Sequence, residues 1–241
     1  MIRQAREALG LALVPRAEST VRGQVLFAVH PHGVCSDYRL LMDGMIPKTF
    51  PEISPIRVLA ASILFRIPFV REVALWTSCV SASRASAELC LKKKLSILVI
   101  PGGEREQLAT EYQRDKVFLK KRLGFIRLAL KYQVPIIPTY VFGCVDLYKT
   151  SSFAFRFREW LVENLGICIP IFWGEYGTIQ PFLVPQTIVF GNPLFLKSLD
   201  TDEPSKEQVQ QGLELYIEAL KALFEENKHE YGYGDRELVI E

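Results

Sequence analysis

Histidine is scarce in this chain, three residues among 241, and methionine is equally rare. With so few imidazoles and no Cys-x-x-Cys or His-Glu-x-x-His spacing, nothing in the sequence calls for a metal. The five cysteines are odd in number and scattered, which excludes a disulfide framework. The first residues lack a signal peptide's apolar core and cleavage site, so a reducing, cytosol-facing environment is expected. No apolar run of 18 residues is free of charge, and no confident transmembrane helix is expected. The most apolar long segment, 58–80, carries Arg66, Arg71 and Glu72 with Pro68 in its middle. Interfacial insertion suits it better than a span, although two short core helices are the commoner explanation. A net charge of +2 without an aromatic platform between the basic residues argues against nucleic acid. Repeats and Pro/Gly/Ser-rich linkers are also missing, which leaves one domain with a substantial core. The expected division is an N-terminal amphipathic segment, 1–24, and one domain over 25–241. Arg3, Arg6 and Glu7 alternate with Ile2, Leu9, Leu11 and Leu13, a short amphipathic helix over residues 1–14.

Two of the three histidines stand together in His30-Pro31-His32-Gly33, directly after the apolar run Val25-Leu26-Phe27-Ala28-Val29. Such a run reads as a buried strand that Pro31 and Gly33 end, so the imidazoles emerge at the strand's carboxyl end, where α/β sheets bind ligands. From His32 the pattern is His-x4-Asp, which suits a base oriented by the carboxylate of Asp37. A helix would hold this pair about 140° apart, so a turn is needed, and Gly33 supplies it. Taken alone the pattern is common, and an ordinary polar turn explains it as well.

A helix over 37–45, an apolar region from Val58 and a strand at 78–80 follow. Ser83 is an N-cap for a helix over 84–93, and Leu95 to Ile100 reads as a strand halted by Pro101-Gly102-Gly103. A helix over 116–133 precedes a third strand, 134–142. Phe153, Phe157, Trp160, Leu161 and Leu165 mark an amphipathic helix whose stripe is either core packing or membrane contact. A short strand over 187–190 and a final helix over 205–230, opened by the capping box Ser205-Lys206-Glu207-Gln208, complete the pattern. Strands separated by helices of this length indicate an α/β fold with a largely parallel sheet and helices on both faces.

Pro101-Gly102-Gly103-Glu104-Arg105-Glu106 leaves its strand as the histidine tetrad leaves its own, so both loops should border one cleft. Backbone N–H groups of Gly102-Gly103, or of the Gly33 turn, are candidates for an oxyanion hole, with a plain tight turn as the alternative. Lys92-Lys93-Lys94 satisfies a helix end. Lys120-Lys121-Arg122 falls within an expected helix, as a solvated face or a phosphate clamp.

These segments, in this order, resemble the type-2 diacylglycerol acyltransferase family, which includes monoacylglycerol and wax-alcohol acyltransferases. His30-Pro31-His32-Gly33 is similar to its HPHG signature, and Gly102-Gly103-Glu104-Arg105-Glu106 to its Gly-Gly-x-x-Glu element. Arg122-Leu123-Gly124-Phe125, through Val134-Pro135-Ile136-Ile137-Pro138 to Phe142-Gly143, resembles its longest motif. Gln180-Pro181-Phe182 and Val189-Phe190-Gly191-Asn192-Pro193 match a further element, and Tyr216 to Lys228 the C-terminal helix. These 241 residues hold no counterpart of the family's N-terminal membrane hairpin or Tyr-Phe-Pro element, a pattern expected of a shortened gene or of a soluble-leaning member. Asp37 departs differently, toward the His-x4-Asp signature of glycerolipid acyltransferases, whose Arg motif Arg84 would match.

The resemblance implies a glycerolipid-acyltransferase-like fold and O-acyl transfer from acyl-CoA, a substrate rather than a cofactor, to diacylglycerol or a related monoacylglycerol or fatty alcohol. It implies His32 as base with Asp37 behind it, His30 shaping the loop or assisting proton handling, and Glu106 orienting the loop through an N–H or Arg84. Arg84, Lys121 and Arg122 are candidates for the CoA phosphates. Peripheral or monotopic attachment to the endoplasmic reticulum or a lipid droplet is carried by resemblance. The alternatives are a lysophospholipid or glycerol-phosphate acyltransferase and a non-catalytic lipid-binding protein.

Overall fold

The computed structural model describes residues 12–15, 21–41, 44–197 and 203–241. β1 (Ala12–Pro15) and β2 (Leu26–His30) precede α1 (Asp37–Leu41), α2 (Ile46–Thr49) and β3 (Ile56–Ala60). A 3-10 turn at Ser62–Arg66, α3 (Val70–Trp76), β4 (Cys79–Ser81), α4 (Arg84–Lys92), β5 (Ser96–Val99), α5 (Gly103–Leu108) and β6 (Lys116–Val117) follow. Next come α6 (Gly124–Tyr132), β7 (Ile136–Phe142), β8 (Lys149–Thr150), α7 (Phe155–Leu165), β9 (Phe172–Trp173) and β10 (Thr187–Phe190), then α8 (Lys206–Asn227) and β11 (Val239–Ile240).

Seven strands form one sheet in the order β1-β10-β7-β2-β5-β3-β4. The five from β7 to β4 run parallel, β10 is antiparallel to β7, and β1 is parallel to β10. Strand alternation divides the core. Leu26 and Ala28 face a cluster built with Leu91 of α4, Phe125 and Ile126 of α6, and Leu213, Tyr216 and Leu220 of α8. Val25, Phe27 and Val29 face Tyr38, Ile46 and Phe50 on the other side. The largely parallel α/β sheet with helices on both faces is therefore observed.

Local chemistry fixes the helix starts. Ser83 Oγ accepts from Ser86 N at 3.2 Å, and Ser205 and Gln208 close a reciprocal capping box at 2.8 and 3.2 Å. Four expectations are corrected. The helix expected over 1–14 is overturned only at its end, where Ala12–Pro15 is a sheet-edge strand; the rest of it, residues 1–11, lies outside the described residues. The helix expected over 37–45 is α1 over 37–41 and a turn at 44–45 that leads into α2, with residues 42–43 outside the described residues. The helix expected over 116–133 is only α6, because Lys116–Val117 finds a strand partner in β11. Segment 58–80 is not two core helices: it opens with β3, and Ile67, Phe69, Val70, Val73 and Trp76 stay exposed beyond it, Phe69 to 87%. Among the described residues, no helix is long and apolar enough to cross a membrane.

Candidate active site

The carboxyl ends of β2 and β5 meet, as the two loop motifs suggested, and Glu106 is the clasp between them. Its side chain, carried on α5, is buried; one oxygen accepts the backbone N–H of His32 and the other that of Phe118 at 2.7 Å. Burial raises its carboxyl to about 7. Arg84 takes no part in this clasp; it lies exposed, paired with Glu88 at 2.9 Å and Glu203 at 3.4 Å.

His32 stands half-buried at the mouth of a cleft of about 1070 Å³. Its Nδ1 lies 2.9 Å from the Gly33 carbonyl and 3.1 Å from Ser36 Oγ. A carbonyl only accepts, and Ser36 donates its own proton to the His32 carbonyl at 2.8 Å, so Nδ1 carries the ring hydrogen. Nε2 is left with a lone pair, the state a general base requires. Burial holds the imidazole below its ordinary pKa, keeping it unprotonated at neutral pH.

The partner expected for His32 is corrected. No hydrogen bond joins Asp37 to the His32 ring; burial raises the Asp37 carboxyl, with the Tyr148 hydroxyl opposing that rise. Residue 37 opens α1, and it is Ser36, four residues after His32, that reaches the ring. If this geometry governs the base, Asp37→Asn should leave turnover within about twofold, since the His32 ring is held by Gly33 and Ser36 and not by Asp37. Ser36→Ala should lower kcat about fivefold, the worth of one hydrogen bond near ~1 kcal/mol. Steady-state rates of the two variants decide between Ser36 and Asp37 as orienter.

Of the two roles expected for His30, shaping the loop or assisting proton handling, its surroundings fit the first. It continues the inward face of Leu26 and Ala28, is fully buried, and meets Tyr216 Oη at 3.0 Å. Tyr216 donates onward to the Ala28 carbonyl at 3.2 Å, so His30 is protonated at Nε2, opposite to His32. Burial drops its pKa to about 3.

The glycines serve packing. Gly33 has φ +66° and a Cβ there would stand 2.4 Å from Cys144 Sγ. A Cβ on Gly102 would stand 2.0 Å from Glu106 Oε2. Both are buried, and the N–H of Gly103 already donates to the Ile100 carbonyl at 3.2 Å in its turn. The oxyanion assignment to these N–H groups is therefore withdrawn for Gly103 and has no support from the cleft lining for Gly33 and Gly102.

The cleft has two characters. Leu59, Ile63, Leu64, Ile67, Ile100, Leu123 and Leu128 give an apolar wall. Arg39, Arg84, Arg105, Lys121, Arg122, Arg127 and Lys131 outnumber Glu88, Glu104 and Glu163 around it. Lys121 and Arg122 lie in the loop before α6, not within a helix, and Arg122 donates to the Gly102 carbonyl at 2.7 Å. Among the described residues no group of three His, Cys, Asp or Glu side chains could hold a metal.

The sequence profile of the diacylglycerol acyltransferase family matches residues 2–241. The chain belongs to that family. It is 34% identical over 231 residues to diacylglycerol O-acyltransferase 1 of Saccharomyces cerevisiae, covering 89% of this chain and 54% of the yeast protein. To acyl-CoA wax alcohol acyltransferase 2 of Mus musculus it is also 34% identical, covering 89% of this chain and 69% of the mouse protein. The chain thus spans about half the length of one relative and about two thirds of the other. Among solved structures it resembles the 1-acyl-sn-glycerophosphate acyltransferase PlsC of Thermotoga maritima, with a TM-score of 0.50 and 18% identity over 90% of this chain and 74% of that one. That likeness places this diacylglycerol acyltransferase family member in the glycerolipid acyltransferase fold. Within the family's ordered motifs, His32 and Glu106 meet across two loops and Arg122 stands beside them, whereas His30, Gly33 and Gly102 support the loops from below.

Proposed function

We propose that the chain is an acyl-CoA-dependent O-acyltransferase that esterifies diacylglycerol, or a related neutral alcohol, to form triacylglycerol. The observation that carries this reading is the free Nε2 of His32 at a cleft whose lining combines apolar and cationic side chains. In the reaction the acceptor hydroxyl attacks the thioester carbonyl while Nε2 takes its proton. The tetrahedral intermediate then expels the CoA thiolate, which recovers the proton from the imidazolium. Lys121 and Arg122, with Arg84 at the rim, suit the CoA phosphates, and the apolar wall suits an acyl chain. The names of the yeast and mouse relatives, a diacylglycerol and a wax alcohol acyltransferase, support transfer to a neutral lipid alcohol.

The reading includes work at a lipid surface, the cytosolic face of the endoplasmic reticulum or a droplet. Phe69, Val73 and Trp76 are exposed on and before α3, and Phe153, Phe157 and Trp160 on and before α7, while Ile67 and Ile167, near each group in sequence, line the cleft. Apolar exposure of this kind suits insertion among lipid chains.

The test is labelled acyl-CoA supplied with vesicles containing diacylglycerol, with monoacylglycerol, fatty alcohol and lysophosphatidic acid in parallel. Labelled triacylglycerol is expected. Product from lysophosphatidic acid alone would overturn the neutral acceptor, and vesicle binding with no product from any acceptor would overturn the enzyme.

A further inference from the structure

A cluster of two buried aspartates and one partly buried arginine lies outside the cleft lining and takes no part in the chemistry above. Arg236 donates to Asp115 Oδ2 at 3.2 Å and to Asp146 Oδ1 at 2.7 Å. Both carboxylates are buried, and Tyr140 donates to the remaining oxygen of Asp115 at 2.6 Å. Such groupings are weak evidence for stability, because apolar residues can fill the same space as well. Where the two aspartates lead is more informative.

Asp115 directly precedes β6, and the next residue after that strand is Phe118, whose N–H holds Glu106. Glu106 in turn holds the N–H of His32. Asp146 ends the turn Cys144–Asp146, and Cys144 fills the space beneath Gly33, with its thiol 3.9 Å from the Pro31 carbonyl. One guanidinium therefore ties together the two segments on which the His32 loop rests. The residues after Arg236 continue the tie: Val239 N donates to the Asp115 carbonyl at 2.9 Å, and the Glu241 carbonyl accepts from Leu119 and Lys120 at 2.7 and 2.8 Å.

We propose that Arg236 is a positioning residue for His32, acting through the Asp115–Phe118–Glu106 and Asp146–Cys144–Gly33 supports. It touches no reacting atom, and the inference rests on the acyl-transfer reading only for its kinetic arm. Arg236→Gln loses the charge and one arm of the fork. Lysine keeps the charge but not the planar fork that bridges two carboxylates.

Thermal unfolding, kcat and KM, and ¹⁵N NMR of the histidine rings are to be measured on the full chain. Arg236→Gln should lower kcat at least tenfold with KM for acyl-CoA changed less than twofold. It should also blur the Nδ1–H signature of His32 while the Nε2–H signature of His30 persists, and Arg236→Lys should restore part of both. A lowered melting temperature with kcat and the His32 signature unchanged would overturn the proposal and reduce the cluster to a staple. If Arg236→Gln fails to fold, Asp146→Asn, which spares the Asp115 arm, decides by the same readouts. Wild-type protein without acyl transfer would sink the functional reading alone, since the NMR comparison still tests the positioning.

Discussion

Replacing His32 with alanine is expected to lower acyl transfer about 10³-fold, within the 10²–10⁴ range that a positioned general base supplies. The expectation rests on the ring's fixed orientation, with Nδ1 committed to Gly33 and Ser36 and Nε2 free at the cleft. An alcohol is a poor nucleophile until its proton leaves, so the loss should fall on kcat more than on KM for acyl-CoA. The variant should fold, because the half-buried ring holds only local contacts. His30→Ala is the contrasting case: it strips a buried ring from Tyr216 and should lower stability first. The pH profile adds a check. With His32 held below its ordinary 6.5 by burial, the acid limb of kcat/KM should lie below that value. Near-wild-type kcat in His32→Ala would remove the base assignment.

Glu106→Ala should be nearly as damaging, by a different route. Two N–H groups, those of His32 and Phe118, would lose their acceptor at once. An unmade buried hydrogen bond costs about 1–3 kcal/mol each, which together consumes much of an ordinary domain's 5–15 kcal/mol. Both the melting temperature and kcat should fall. Glu106→Gln is milder: its amide oxygen keeps one of the two N–H groups, while its NH2 cannot accept the other, and it carries no titrating proton. The Glu106 carboxyl is raised from 4.5 to about 7 by burial, so between those values the folded protein holds a proton the unfolded chain has released. Stability from this group is therefore greatest below pH 4.5, falls as pH rises, and levels off above about 7. At ~1.4 kcal/mol per unit the window spans roughly 3 kcal/mol. His30, lowered to about 3, gives the opposite slope up to 6.5, but it is present in both proteins and drops out of their difference. Urea unfolding at several pH values should show the wild-type-minus-Gln difference shrinking from pH 5 to 7.5; a flat difference would refute the carboxyl's buried, raised state.

Much of the fold was legible because its signals are local. The runs around Phe27 and Leu98 end at Pro and Gly, and Ser83 and Ser205 cap helices within three residues of themselves. The helix expected over 116–133 failed because Lys116–Val117 pairs with residues more than 120 positions away. The site divides similarly. His32 and Glu106 could be placed on one cleft from two strand ends, yet the choice between Ser36 and Asp37 depended on which residue opens α1. His30 finds Tyr216 at a separation of 186 residues, and Arg236 bridges two aspartates from the end of the chain. Pairings at that distance have no spacing for a sequence reader to count.

The alternation along β2 makes enzymatic output a reporter of strand registry. Leu26, Ala28 and His30 share one face, and the chain then turns through Pro31 to bring His32 to the cleft. A molecule whose β2 had paired one residue out of step would turn His30 away from Tyr216 and withdraw His32 from the N–H clasp of Glu106. It would contain every residue of the site and assemble none of it. Specific activity would then count only the molecules whose central strand had locked in step with β5 and β7.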